Sequence, residues 1–297
     1  MYIVTKQRGR RPHTKEREKK AMTTTKGMKK FIDTIINGRK IRARFNKGGN
    51  VKVGDMWTFN TLFGNYNYYI PELKKHVRGT CGFNCKGCLK DCYVKKSYVM
   101  YTKRAADGSK GDFVTGRCSV KYGHAINTLA MRENAEKAYN DLNNQIKRRR
   151  NKNKELIIRI HASGELESAS ELIVFTRIAR DNADVKLYVY TKNYNLVLPA
   201  LKAGIVPKNL VILFSVWNEY GIKEFLSVAD LPNVKAYVAL TGFDYESAGL
   251  HITCKCPAYV MDKKTGKVKL IHDTTCDKCQ ICFNCIDKLK VIGCLLH

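Results

Sequence analysis

No run approaches the roughly 18 consecutive apolar residues that a membrane-crossing helix needs, so no bilayer span is expected. The basic N-terminus is not followed by an apolar segment, so a secretory leader is not expected either. Proline is scarce, at 6 residues in 297, and apolar residues make up 44% of the chain. A disordered, fibrous or coiled-coil protein is thereby excluded. No fixed-period repeat runs through the sequence, which argues against a solenoid. Acidic residues are few: 26 Asp and Glu stand against 54 Lys and Arg, leaving a net charge of +28. An excess of that size points to a polyanionic partner, and non-specific nucleic-acid binding is expected.

Cysteine is not scarce. There are 12, with no export signal, so the thiols are expected to stay reduced in a cytoplasm (a host's, for a phage-encoded chain). There, grouped cysteines more often bind metal than form disulfides.

Three regions are expected. Residues 1–40 read as a basic, disordered tail, dense in cations such as Arg8, Arg10, Arg11, Arg17, Lys19 and Lys20. Residues 41–245 form the main domain, and residues 246–297 a Cys-rich metal-binding extension. Within the main domain one long helix is expected between about Ser119 and Arg150, ending on a run of cations that suits a helix C-terminus. Four apolar runs follow, at Leu156–His161, Val185–Tyr190, Leu210–Val216 and Val234–Leu240. Helical segments separate them at Ser168–Arg180, Leu196–Ala203 and Gly221–Val228, the first opened by a Ser168-x-x-Glu171 capping box. This alternation implies parallel β/α units, in an open sheet or a barrel.

The first thiol group is Cys81-x3-Cys85-x2-Cys88-x3-Cys92. Four thiols this close suit an iron–sulfur cluster better than zinc, which usually takes two close cysteines and two distant ones. Cys81-x3-Cys85-x2-Cys88 is also the spacing of the radical S-adenosylmethionine enzymes. On that model the fold is a partial (βα) TIM-like barrel of the radical S-adenosylmethionine type, with a Cys-rich C-terminal extension. Arg159, His161 and the segment Ser163-Gly164-Glu165 then fall at the C-terminal end of the first barrel strand, where active sites gather. Period-2 geometry puts Arg159 and His161 on one face. Ser163-Gly164-Glu165 resembles the Gly-Gly-Glu segment that holds the cofactor's methionyl amine. Lys192 and Ser215 end the next two strands. The expected catalytic residues are Arg159, His161, Glu165 and Lys192, and the expected cofactor contacts are Ser163, Gly164, Glu165 and Ser215.

The second thiol group pairs Cys256-Pro257 with Cys276-x2-Cys279-x2-Cys282. Three ligands at x2 spacing with a distant Cys-Pro is ferredoxin-type ligation; a zinc ribbon is the alternative. In the zinc alternative Cys254 or Cys256 joins the Cys276/Cys279 pair; Cys285 and Cys294 are spare or structural, and Cys118 is an inert packed thiol.

The ordered motifs, Thr80-Cys81 to Cys92-Tyr93, Arg159-x-His161-x-Ser163-Gly164, Tyr190-Thr191-Lys192 and the terminal cysteines, resemble the phage gene product 88 family from about Trp57 to His297. The resemblance implies a protein of phages and mobile elements related to radical S-adenosylmethionine barrels. It implies Cys81, Cys88, Cys92, Cys256, Cys276, Cys279 and Cys282 as iron–sulfur ligands. Glu165 replaces the family's usual Asp, and Cys85 is additional to its pattern. The expected function is a radical S-adenosylmethionine-like enzyme acting on nucleic acid or a nucleotide, with one or two [4Fe–4S] clusters and S-adenosylmethionine as cofactors. The alternative is a non-catalytic nucleic-acid-binding protein with structural iron–sulfur or zinc sites. A metal-dependent nuclease is not expected, for want of an Asp/Glu/His set near the strand ends.

Overall fold

The computed structural model of the chain describes residues 41–47, 53–82, 88, 92, 94–95, 97–98, 119–150, 155–240, 242–265, 267–271, 274–284 and 290–295. The basic tail, Cys85, Cys118 and Cys285 lie outside the described residues. An eight-stranded sheet organises the rest, in the order β1 (Asn46–Lys47), β2 (Trp57–Phe59), β5 (Ile157–Ile160), β6 (Lys186–Thr191), β7 (Leu210–Val216), β8 (Val234–Leu240), β12 (Val291–Leu295) and β9 (Cys254–Lys255). β1 pairs antiparallel to β2, and every other neighbour is parallel. Two small antiparallel ribbons stand apart, β3 (Asn67–Ile70) with β4 (Lys75–Arg78) and β10 (Tyr259–Met261) with β11 (Val268–Leu270).

The apolar runs form strands because both sheet faces are covered. All seven residues of β7 are buried, so its sequence is a continuous Leu-Val-Ile-Leu-Phe-Ser-Val run rather than an alternation. One face, carrying Ile158, Ile160, Leu187, Val189, Ile212, Phe214 and Val238, packs on helices α2 (Ala135–Arg149), α3 (Ala169–Asp181), α4 (Tyr194–Lys202) and α5 (Glu219–Leu226). The other face carries Ile157, Tyr188, Val211, Leu213 and Ile292. It is sealed by Val53, Met56 and Phe283, with Cys254, Cys256, Cys276 and Cys282 packed around them. A short helix α6 (Cys276–Cys279) lies in that covering segment.

The partial TIM-like barrel is corrected to this open mixed sheet. Its edges, β1 and β9, lie at opposite ends of the strand order and do not pair. The face that a barrel folds inward on itself is occupied here by the cysteine-bearing segment. Two of the strands between 246 and 297 are therefore members of the main sheet: β12 lies between β8 and β9.

The single helix expected over 119–150 is two, α1 (Ser119–Glu133) and α2. Asn134 breaks it (φ −157°, ψ 85°), and its side chain accepts the Lys137 N–H at 2.8 Å. Asn competes with helical hydrogen bonding in this way and is a preferred N-cap. α1 packs with the β3–β4 ribbon in a second small core that includes Ile70, Val77, Ile126 and Leu129. Among the described residues no helix is long and apolar enough to cross a membrane.

Candidate thiol sites

The first site is built where β4, β5 and β6 end. β4 delivers Thr80 and Cys81, and the loop after β5 delivers Ser163-Gly164-Glu165. Thr80 Oγ1 accepts the Glu165 N–H at 2.8 Å and lies 3.0 Å from Thr61 Oγ1. Gly164 adopts φ +90°, and a Cβ there would stand 1.9 Å from Thr61 Oγ1. Both the left-handed backbone and the close approach require glycine. Ser163 donates its hydroxyl to the Thr61 carbonyl at 2.9 Å, and its N–H goes to Asn60 Oδ1.

Glu165 is buried and ties the loop to the next strand. Oε1 accepts the Leu166 N–H and Oε2 the Lys192 N–H, both at 2.9 Å. Cys81 feels this carboxylate. Burial pushes its thiol up to about 12, with the charge of Glu165 and the nearby Cys88 adding to the rise and Lys192 opposing it. A thiol in that setting ionises only beside an added positive charge, such as a metal. The Lys192 ammonium lies 5.7 Å from the Trp217 ring centre, and the Trp217 indole N–H donates to Ser215 Oγ at 3.1 Å. The structure thus brings together Cys81, Glu165 and Lys192, with Cys88 in electrostatic range. Cys92 packs against the core of α1 and the ribbon.

Arg159 and His161 part company. β5 ends at Ile160, and His161 takes a left-handed φ of 56°, which breaks the alternation. Its ring enters the helix side against Phe59 and Phe175. Nδ1 lies 3.2 Å from Thr61 Oγ1 and Nε2 lies 3.0 Å from Glu171 Oε1. The other Glu171 oxygen accepts the Glu167 N–H, while the Glu171 N–H reaches Ser168 Oγ at 3.3 Å. The capping box is therefore shifted by one residue on its return arm, because Glu171 also serves His161. Arg159 instead faces the C-terminal segment, with its guanidinium 4.8 Å from the Tyr190 ring centre.

The second site lies on that side of the sheet. Cys256, Cys276, Cys279 and Cys282, from two segments distant in sequence, line one pocket floored by Tyr190 and Tyr237. The two rings meet edge-to-face at 5.0 Å. Burial pushes both phenols well above their usual range, with Cys282 adding to each rise. Cys294 lies against Tyr237 and is buried. Among the described residues no disulfide joins two cysteines. Among the described residues no three His, Cys, Asp or Glu side chains gather closely enough to hold one ion.

Sequence reasoning missed Lys235, which lies fully buried beside this pocket. The available signal was a lysine two residues from Tyr237 in an otherwise apolar strand. It also missed Thr61, which belongs to no motif, and gave no role to Thr80, although the two hydroxyls together organise the first site.

No curated protein and no solved structure matches the chain. A family model described as gene product 88 matches residues 36–285, most of the length, and the chain accordingly belongs to the gene product 88 family of phage gene products.

Proposed function

We propose that this chain is an iron–sulfur protein that binds nucleic acid, its C-terminal thiols Cys256, Cys276, Cys279 and Cys282 holding a [4Fe–4S] cluster against the Tyr190–Tyr237 floor. One observation carries the reading: those four thiols line a single pocket on the sheet. Their chemistry fits the group, since iron–sulfur clusters are held by cysteine thiolates. When bound, the cluster would fasten the covering segment to the sheet. The excess of cations supports a nucleic-acid partner, and the reduced thiols suit a host cytoplasm.

A second reading, a radical S-adenosylmethionine-like enzyme, draws on the neighbourhood of Cys81, Glu165 and Lys192 at the strand ends. On that reading Cys81, Cys85, Cys88 and Cys92 supply the ligands of a second cluster, with Ser163, Gly164, Glu165 and Ser215 beside the cofactor. The binding reading is preferred because His161 and Glu165 spend their polar atoms on Glu171, Leu166 and Lys192 within the chain.

Iron and acid-labile sulfide, measured on anaerobically purified protein, are expected in equal amounts, and to fall by a whole cluster in C279S and C282S. Stoichiometric zinc with no sulfide overturns the cluster. Formation of 5′-deoxyadenosine on reduction with S-adenosylmethionine would move the conclusion to the enzyme.

A further inference from the structure

Lys235 is the second residue of β8, with none of its surface exposed. Val234, Ala236 and Val238 of the same strand face the helices. Alternation sends Lys235 and Tyr237 to the other side, toward the C-terminal thiols. The Lys235 ammonium donates to the Ile281 carbonyl at 2.7 Å, in the turn between Cys279 and Cys282.

Lysine is among the residues least often fully buried, because its charge is costly to remove from water. The hydrogen bond to the Ile281 carbonyl does not by itself require a charge; a neutral amide would serve there. A cation becomes favourable where negative charge collects. Four thiolates around an iron–sulfide core leave the assembly net negative, and that charge needs a fixed counter-ion in a site closed by Tyr190, Tyr237 and Phe283. Arg159, over Tyr190, adds a second cation to the same face.

We propose that Lys235 is the positioning and charge-compensating residue of the C-terminal cluster, holding the 280–282 turn through the Ile281 carbonyl and offsetting the thiolate charge. This rests on reading Cys256, Cys276, Cys279 and Cys282 as the cluster's ligands.

The role makes opposite predictions for the protein with and without its iron. In K235M the apoprotein is relieved of a buried charge, so its denaturation midpoint is expected to equal or exceed that of the wild-type apoprotein. The loaded protein, by contrast, is expected to lose iron to a chelator about 10–100-fold faster, the usual cost of removing a residue that supports metal ligands. K235Q keeps a donor for Ile281 without the charge and is expected to lose iron faster too, with a lowered reduction potential; K235R is expected to retain iron nearly as the wild type does. Parallel loss of apoprotein stability and iron in K235M, or failure of that variant to fold, makes Lys235 a structural residue if K235Q holds iron as the wild type does, and overturns the proposal. A fully loaded wild type with unchanged variants overturns it while sparing the cluster. A wild type without iron or sulfide overturns both.

Discussion

His124 and His161 show how little a histidine's identity says before its surroundings are known. His161 looked like a strand-end catalytic group, yet its left-handed backbone turns it into the helix core against Glu171. His124, in α1, carried no motif. Burial, aided by the charge of His161, pushes its imidazole down to about 3. An unfolded imidazole takes its proton near 6.5, so between about pH 6.5 and 3 the unfolded chain binds more protons than the folded one. Stability from this residue is therefore complete above about pH 6.5 and declines as the pH falls toward 3. Urea unfolding across that window is expected to show the decline, and H124Q to reduce its slope; an unchanged slope would remove His124 from the account.

Among the elements, β12 was the least expected. Its Val-Ile-Gly-Cys-Leu run is five residues long and adjoins a cysteine-rich stretch, so nothing local distinguishes a sheet strand from a metal-bound extension. In the structure it pairs along β8 from Val291–Ala236 to Leu295–Leu240. Its other edge takes β9. Ile292 and Phe283 enter the core on the thiol side. Deleting residues 246–297 is thus expected to leave β8 as a bare apolar edge and to abolish cooperative unfolding, which near-ultraviolet circular dichroism during thermal melting would reveal. A truncated protein that melts sharply would make the segment dispensable to the sheet. The neighbouring strands β7 and β8, by contrast, were legible to the residue, because burial on both faces writes itself as a nearly continuous apolar run, broken in these two by Ser215 and Lys235.

For the whole molecule, the dominant feature is charge. With +28 on 297 residues, binding to a nucleic acid is expected to be driven by displaced counterions. The logarithm of the affinity for a short DNA or RNA, measured by fluorescence anisotropy, is expected to fall linearly with the logarithm of salt concentration. Removing residues 1–30 is expected to flatten that line; parallel lines would assign the contacts to the remaining cations. The two thiol groups were legible as groups because metal-ligand spacing is local in sequence. Their surroundings were not: Tyr190 and Tyr237 reach the second pocket, and Lys235 the Ile281 carbonyl at its edge, from strands that share no motif with it.

The sequence alone determined the alternation of strand and helix from 156 to 240, the excess of positive charge and the partition of the thiols into two sets. Each of these is a property of neighbours along the chain, set by side-chain period, composition or spacing. Tertiary structure decided that the sheet stays open, that the last strand enters it beside β8, that Arg159 and His161 go to opposite faces, and that a buried lysine holds the turn between Cys279 and Cys282. Those outcomes depend on which strand edges pair and what covers each face, and pairing between residues as distant as Ala236 and Val291 leaves no mark in local pattern.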